Sequence, residues 1–327
     1  MPTRFSFEGA LANPFRAAYA QSFPWLFSAA YAIVFTLFFG VMVLLTRNTF
    51  GDVIESIGAL DRSGIDRDAP GSITATLSGI FKPLVPFLVL SIVGSWALWA
   101  MFEAASQRRY IRDEGFTLRF GGDELRMMVV ALLWSLMYLV FISPILFVML
   151  GGIASLLSAS VSNSPEDVIA RQAFSMIGSL FGLMLLVFPV YVFFATRLAP
   201  CFAMTIKDRR IVFFDAWNVS RGRFWPILGA YLILAVSGGI IVSVIDQVLQ
   251  MALMTTSMPS LETVESADDL TAVLTSTAFV IPLSIYALLR LFLSGLLQHF
   301  TGGPAAFAAR HDPRGGVDDA AQMAVFD

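Results

Sequence analysis

Stretches free of Asp, Glu, Lys and Arg recur along this chain and are long enough to set its architecture. A helix needs about 20 apolar residues to cross the hydrocarbon of a bilayer. Five runs reach that length: Ala17 to Thr46, Pro83 to Phe102, Met127 to Pro165, Gln172 to Thr196 and Phe224 to Ile245. A sixth, Leu270 to Leu289, is followed by Arg290 and then by apolar Leu291 to Phe300, which predicts one helix continuing through the arginine. The second half of the third run, Gly151 to Ser164, is dominated by Gly, Ser and Ala and predicts an interfacial exit instead of a seventh span. The first run exceeds the roughly 7–15 apolar residues of a secretory signal and has no clear small-residue cleavage site after it. It is expected to stay as the first helix. The pattern predicts an all-α polytopic membrane protein with six transmembrane helices.

The segments between the spans carry their own patterns. Asn13-Pro14 predicts a helix start, because Asn caps free amides and Pro lacks the amide that would go unpaired. Phe116, Leu118 and Phe120 alternate with Thr117 and Arg119, as in an extended interfacial strip, until Gly121-Gly122 breaks it and Asp123 offers a cap. Phe213, Phe214 and Trp217 lie at helical spacing opposite Asp215 and Asn218, and Phe224-Trp225-Pro226 leads into the fifth span. Aromatics favour that depth. In the first outer loop, Phe50, Val53, Ile54, Ile57 and Leu60 form an amphipathic stretch expected on the membrane surface. Pro189 precedes Arg197-Leu198 by eight residues, as Pro282 precedes Arg290-Leu291. These matches suggest three hairpins, each preceded by a cytoplasmic interfacial segment, near 1–104, 105–203 and 204–305. They form a single transmembrane domain over 1–305, with a flexible cytoplasmic tail at 306–327.

Charge fixes the expected orientation. Basic residues are retained on the cytoplasmic side, and sixteen of them fall at the termini and in the second and fourth loops, against five in the first, third and fifth. Both termini are therefore expected in the cytoplasm. The fifth loop has no basic residue and carries Asp246, Glu262, Glu265, Asp268 and Asp269, which suits the outside.

Composition agrees with a membrane protein: 57% of the 327 residues are hydrophobic and 14% charged, against about 25% charged in soluble domains. One cysteine, Cys201, excludes a disulfide framework, and two histidines leave little for an imidazole metal site. The net charge of −3 and the lack of a basic arm argue against a nucleic-acid partner. No nucleophile, base and orienting group stand at a motif spacing, and no glycine loop cradles phosphate. An enzyme and a cofactor are not expected.

The charges inside the spans are the candidates for function, because each costs about 2.5–3.5 kcal/mol on insertion scales. Glu103, Arg197 and Arg290 fall near the expected cytoplasmic ends of the second, fourth and sixth spans. Tyr286, Arg290, Ser294 and Gln298 recur every four residues, a polar stripe on one helical face. Either the stripe lines a cavity where the arginines receive an anionic solute or lipid headgroup, or Glu103 pairs with one arginine while the other snorkels to the headgroups. His299 is read as interfacial, and Asp246 as an ordinary acid at the outer end of its helix. Gly178 and Gly182, flanked by Ser175 and Ser179, are expected to let another helix approach closely. Prolines 86, 144, 189 and 282 fall inside spans, where they can kink a helix.

A span ending Arg197-Leu198-Ala199-Pro200 is followed by a charged turn, then by Phe214-Asp215-Ala216-Trp217 and Ser220-Arg221-Gly222-Arg223-Phe224-Trp225. With the strip Leu118 to Arg126, this resembles the membrane domain of bacterial glycerophosphodiester phosphodiesterases and of related stand-alone inner-membrane proteins of unassigned function. The resemblance implies a six-helix, hairpin-repeat domain of the bacterial inner membrane. The phosphodiesterases keep their catalysis in a separate soluble barrel, so activity is not implied. Two classes follow: a non-catalytic protein binding or organising membrane lipids, a membrane-protein partner or a second copy, and a transporter or channel for a small anionic solute.

Overall fold

The computed structural model describes residues 5–16, 22–63, 82–162, 164–261, 269, 272, 273, 275–312, 314 and 315. It does not describe side chains at 47, 48, 50–52, 54–63, 161 and 256–261. The described residues are helical and contain no strand: α1 (Phe7–Arg16), α2 (Phe23–Ser63), a 3-10 turn at Lys82–Leu84, α3 (Val85–Arg112), α4 (Gly122–Val161), α5 (Glu166–Leu198), α6 (Cys201–Asp208), α7 (Ala216–Val219), α8 (Phe224–Leu261) and α9 (Thr277–Arg310). Six stretches are long and apolar enough to cross a membrane: Phe23–Thr46, Lys82–Arg112, Gly122–Ser160, Glu166–Asp208, Phe224–Thr255 and Thr277–Arg310. The chain is an all-α, multi-pass membrane protein.

Several boundaries move from those read in the sequence, each for a local reason. Asn13-Pro14 does not open a helix; it lies near the end of α1, where the Asn13 amide donates to the Gly303 carbonyl at 3.0 Å. Gly151 to Ser164 forms no seventh span, as expected, but most of it continues α4, as far as Val161, its serines bonding back into the helix, Ser158 Oγ to the Ser155 carbonyl at 2.8 Å. The helix start at Gly122 is closed by Glu124, whose carboxylate accepts from the Gly121 amide at 2.9 Å, while Asp123 turns instead to Arg126. The amphipathic stretch from Phe50 continues α2, and its side chains apart from Val53 lie outside the described residues. The acids Glu262, Glu265 and Asp268 of the fifth loop also lie outside them. Residues 306–310, expected in the tail, complete α9 with Ala306, Ala308 and Ala309 buried; 316–327 lie outside the described residues. Pro144, Pro189 and Pro282 sit within helices that remain continuous.

Two compact units divide the chain. The first takes residues 1–10, 120–230 and 304–327. It contains the α4–α5 hairpin, with the Ser162 amide bonded back to the Ser158 carbonyl at 3.0 Å and Gly152 admitting the Met176 side chain. Its core gathers Val130, Leu198, Cys201, Phe213 and Ala216, with Trp134, Phe202 and Trp217 packed alongside. Phe213 is buried while Phe214 faces out, so these aromatics do not share one face as their spacing suggested. The second unit takes residues 11–119 and 231–303 and is centred on Phe23, Phe27, Phe35 and Phe102. The last three turns of α3, from Ala100 to Ile111, are buried almost without interruption. Arg108 and Arg109 are therefore core residues of the helix and not members of a solvated loop.

Candidate functional site

Helix α9 distributes its polar stripe between two carboxylates of the second unit. Tyr286 donates its hydroxyl to Asp246 Oδ1 at 3.1 Å, and Arg290 Nε lies 3.1 Å from the same oxygen. Gln250, one turn beyond Asp246 on α8, donates to Asp246 Oδ2 at 3.3 Å. Arg290 Nη1 donates to Ser294 Oγ at 3.0 Å, and that hydroxyl donates back to the Arg290 carbonyl. The stripe's last member goes elsewhere: Gln298 donates to Glu103 Oε2 at 2.9 Å.

Glu103 lies inside a polar face of α3 formed by Glu103, Ser106, Gln107 and Tyr110, spaced three and four residues apart so that they stack on one side. Gln107 donates to Glu103 Oε1 at 2.8 Å. Glu103 is therefore held by two amides, not by an arginine. Arg290 has taken Asp246, and Arg108 and Arg109 bond to the turn that follows α3, at the Thr117, Asp113 and Glu114 carbonyls.

His299 is a core residue of this layer, not an interfacial one. Its ring stacks on Tyr110 at 4.9 Å with 7° between planes. Tyr110 spends its only proton on the His299 carbonyl at 2.9 Å, so at the 3.3 Å contact with Nε2 the imidazole must donate. Nδ1 is then the acceptor for Ser106 Oγ at 2.8 Å. This arrangement fits a neutral imidazole with its proton on Nε2.

Arg197 belongs to the first unit. Its guanidinium faces the rings of Phe193, Trp217 and Phe224 at 5.5, 5.3 and 5.7 Å, and Nη1 donates to the Ser220 carbonyl at 3.0 Å. Ser220 Oγ donates back to the Arg197 carbonyl at 2.8 Å, which ties the end of α5 to the segment before α8. Glu103, Arg197 and Arg290 do not share a depth within their helices. Glu103 lies about 14 Å before the end of α3, Arg290 about 30 Å before the end of α9, and Arg197 one residue before the end of α5.

The first unit also carries an outward rim. Ile211, Phe214 and Trp225 are exposed, the two aromatics at 76% each. Close to them in the chain are exposed Arg209 and Arg221, neither in an ion pair among the described residues, and Arg210, which reaches Asp215 at 3.1 Å. Comparison with protein-family models, with curated proteins and with solved structures gives no match. The geometry stands alone.

Sequence reading missed two participants. Asp246 was legible in principle, because Asp246 and Gln250 stand one turn apart, as do Tyr286 and Arg290. His299 gave no such signal. Its partners lie nearly two hundred positions away on α3. Gly178 and Gly182 show the converse: they were expected to let another helix approach closely, but nothing among the described residues lies within 4 Å of a Cβ built at either.

Proposed function

We propose that this chain is a non-catalytic protein of the bacterial inner membrane, with both termini cytoplasmic, that binds anionic phospholipid headgroups at the rim of its first unit. The observation that carries this is the pairing of exposed Ile211, Phe214 and Trp225 with Arg209 and Arg221, whose charges are not met by carboxylates among the described residues. Aromatic rings suit the headgroup boundary, and basic residues beside them attract anionic lipid. The lipid reading is preferred to transport of an anionic solute because Arg290 already holds Asp246 and Arg197 is enclosed by rings. The sequence resemblance to stand-alone inner-membrane proteins agrees with a role that needs no active site.

The test is to quantify anionic phospholipid retained by the full chain after detergent extraction. Each basic residue near an anionic surface contributes about 1 kcal/mol, a factor of about five. Arg209→Ala and Arg221→Ala should each reduce retention by about that factor. Equal retention by the double variant and the parent would overturn the proposal. Hydrolysis of a glycerophosphodiester by the pure chain would overturn its non-catalytic half.

A further inference from the structure

Among the described residues, Glu103 is the most deeply buried carboxyl of the second unit, with 6% of its surface exposed. A carboxylate in such a place is normally met by a cation or loses its charge, because an isolated buried ion is far costlier than a neutral acid. Glu103 joins no ion pair among the described residues. The groups around it come from four helices. Tyr31 of α2 and Tyr110 of α3 interact with it electrostatically, Tyr231 of α8 acts on Tyr110, and neutral His299 lies beyond Tyr110 on α9. Arg109 also acts on Tyr110 and His299, but its Nη1 donates to the Asp113 and Glu114 carbonyls at 3.2 and 3.4 Å, and Arg108 Nε faces Glu114 at 3.5 Å.

Among the described residues, the two groups that hydrogen-bond to Glu103 are side-chain amides, one on each oxygen at 2.8 and 2.9 Å. An amide, like a hydroxyl, can serve either state of a carboxyl. Its NH2 donates to the ionised form, and after a half-turn its oxygen accepts from the protonated form. Gln107 has that second oxygen in reserve. Its Oε1 is buried and has no hydrogen-bond partner, on a residue only 2% exposed.

We propose that Glu103 is a proton-binding site inside the membrane protein, with Gln107 and Gln298 as positioning residues that hold the carboxyl in both protonation states. The step is the addition of one proton, delivered from hydronium and leaving a water molecule, to a Glu103 oxygen, with the Gln107 or Gln298 amide turning to accept the new O–H. No other bond is made or broken. Because Gln298 is carried by α9 and Gln107 by α3, the proton changes the bond that joins these two helices.

Infrared spectroscopy of the full chain in lipid nanodiscs, with carbon-13 in the glutamate carboxyls, tests this directly. The parent should show an isotope-shifted carboxylic acid C=O band that weakens as pH rises and moves in heavy water. Glu103→Gln should remove it, while Asp246→Asn, which alters the carboxylate that faces Arg290, should leave it. Gln298→Met retains Glu103 and should move the band by removing one partner, which keeps the test decisive even if Glu103→Gln fails to fold. A parent without the band at any pH, or a band unmoved in Gln298→Met, overturns the proposal.

Discussion

Asp246 shows how one carboxylate decides the meaning of several neighbours. It accepts from Tyr286 and Gln250 and faces Arg290, so three polar side chains on two helices converge on its two oxygens. The Arg290 side chain is 41% exposed, enough to reach beyond the pair yet still committed to it. Asp246→Asn should therefore destabilise the detergent-extracted chain more than Arg290→Met combined with Asp246→Asn. The single change leaves an unmatched arginine, which costs up to about 2.5–3.5 kcal/mol at the centre of a bilayer and less toward its edge. Lysine at 290 should restore little, since it lacks the planar fork. Thermal melting of the three variants checks both statements; equal losses in the single and double variants would mean that the pair contributes nothing. At this scale the sequence was legible where the partner lies one turn away and silent where it lies on another helix. The spacing of Tyr286, Arg290, Ser294 and Gln298 predicted a shared face, but not that the face divides between Asp246 and Glu103.

Among the elements, small residues sort by what they meet. Gly152 admits Met176 across the α4–α5 hairpin, whereas Gly178 and Gly182 of α5 meet nothing within 4 Å. Gly178→Ala and Gly182→Ala should each stabilise α5 slightly, up to the roughly 0.8–1.0 kcal/mol by which Ala exceeds Gly in a helix. Gly152→Val should lower stability by displacing Met176. If instead the α5 changes lower the melting temperature, a second chain packs on that face, and size measurements of the same variants would show the altered assembly. Helix α6 is fastened differently. Lys207 donates to Asp312 Oδ2 at 3.0 Å and to the Gly315 carbonyl at 2.9 Å, holding the residues after α9. Burial alone would raise the Asp312 carboxyl, but the Arg314 amide and the Lys207 ammonium outweigh it and hold it below the usual carboxylate value. A lowered folded value means the clasp stabilises at pH above the ordinary aspartate range and is lost as pH falls through that lowered value. Lys207→Met should accordingly lower neutral-pH stability and flatten the acid limb of an unfolding titration; an acid limb identical to the parent's would remove the clasp from the account. The sequence placed these helices well because their apolar runs are long. It misplaced their ends because capping and back-bonding, as at Glu124 and Ser158, extend a helix beyond its apolar run.

For the whole chain, the six long apolar helices follow from runs visible without any structure. Their direction through the membrane rests on the arginines, sixteen basic residues against five. Reporter fusions after Arg112 and Arg210 should report the cytoplasm, and fusions after Asp68 and Glu265 the outside. A cytoplasmic signal at Glu265 would reverse the orientation. Arg108 and Arg109 refine that count, because both are buried in α3 and act within the core as well as in any retention signal. A charge census treats every arginine as solvated. Only packing reveals which ones are not.

The indole of Trp134 donates to the Cys201 sulfur at 2.9 Å in the core of the first unit, and Cys201 is the chain's one cysteine. A thiol-reactive dye therefore has one place to go, and that place is closed while α6 stays docked on α4. The rate of labelling becomes a stopwatch for the opening of one half of the molecule, read without any engineered residue. Trp134 emission should change in step with it, since departure of the sulfur relieves quenching of the ring it touches.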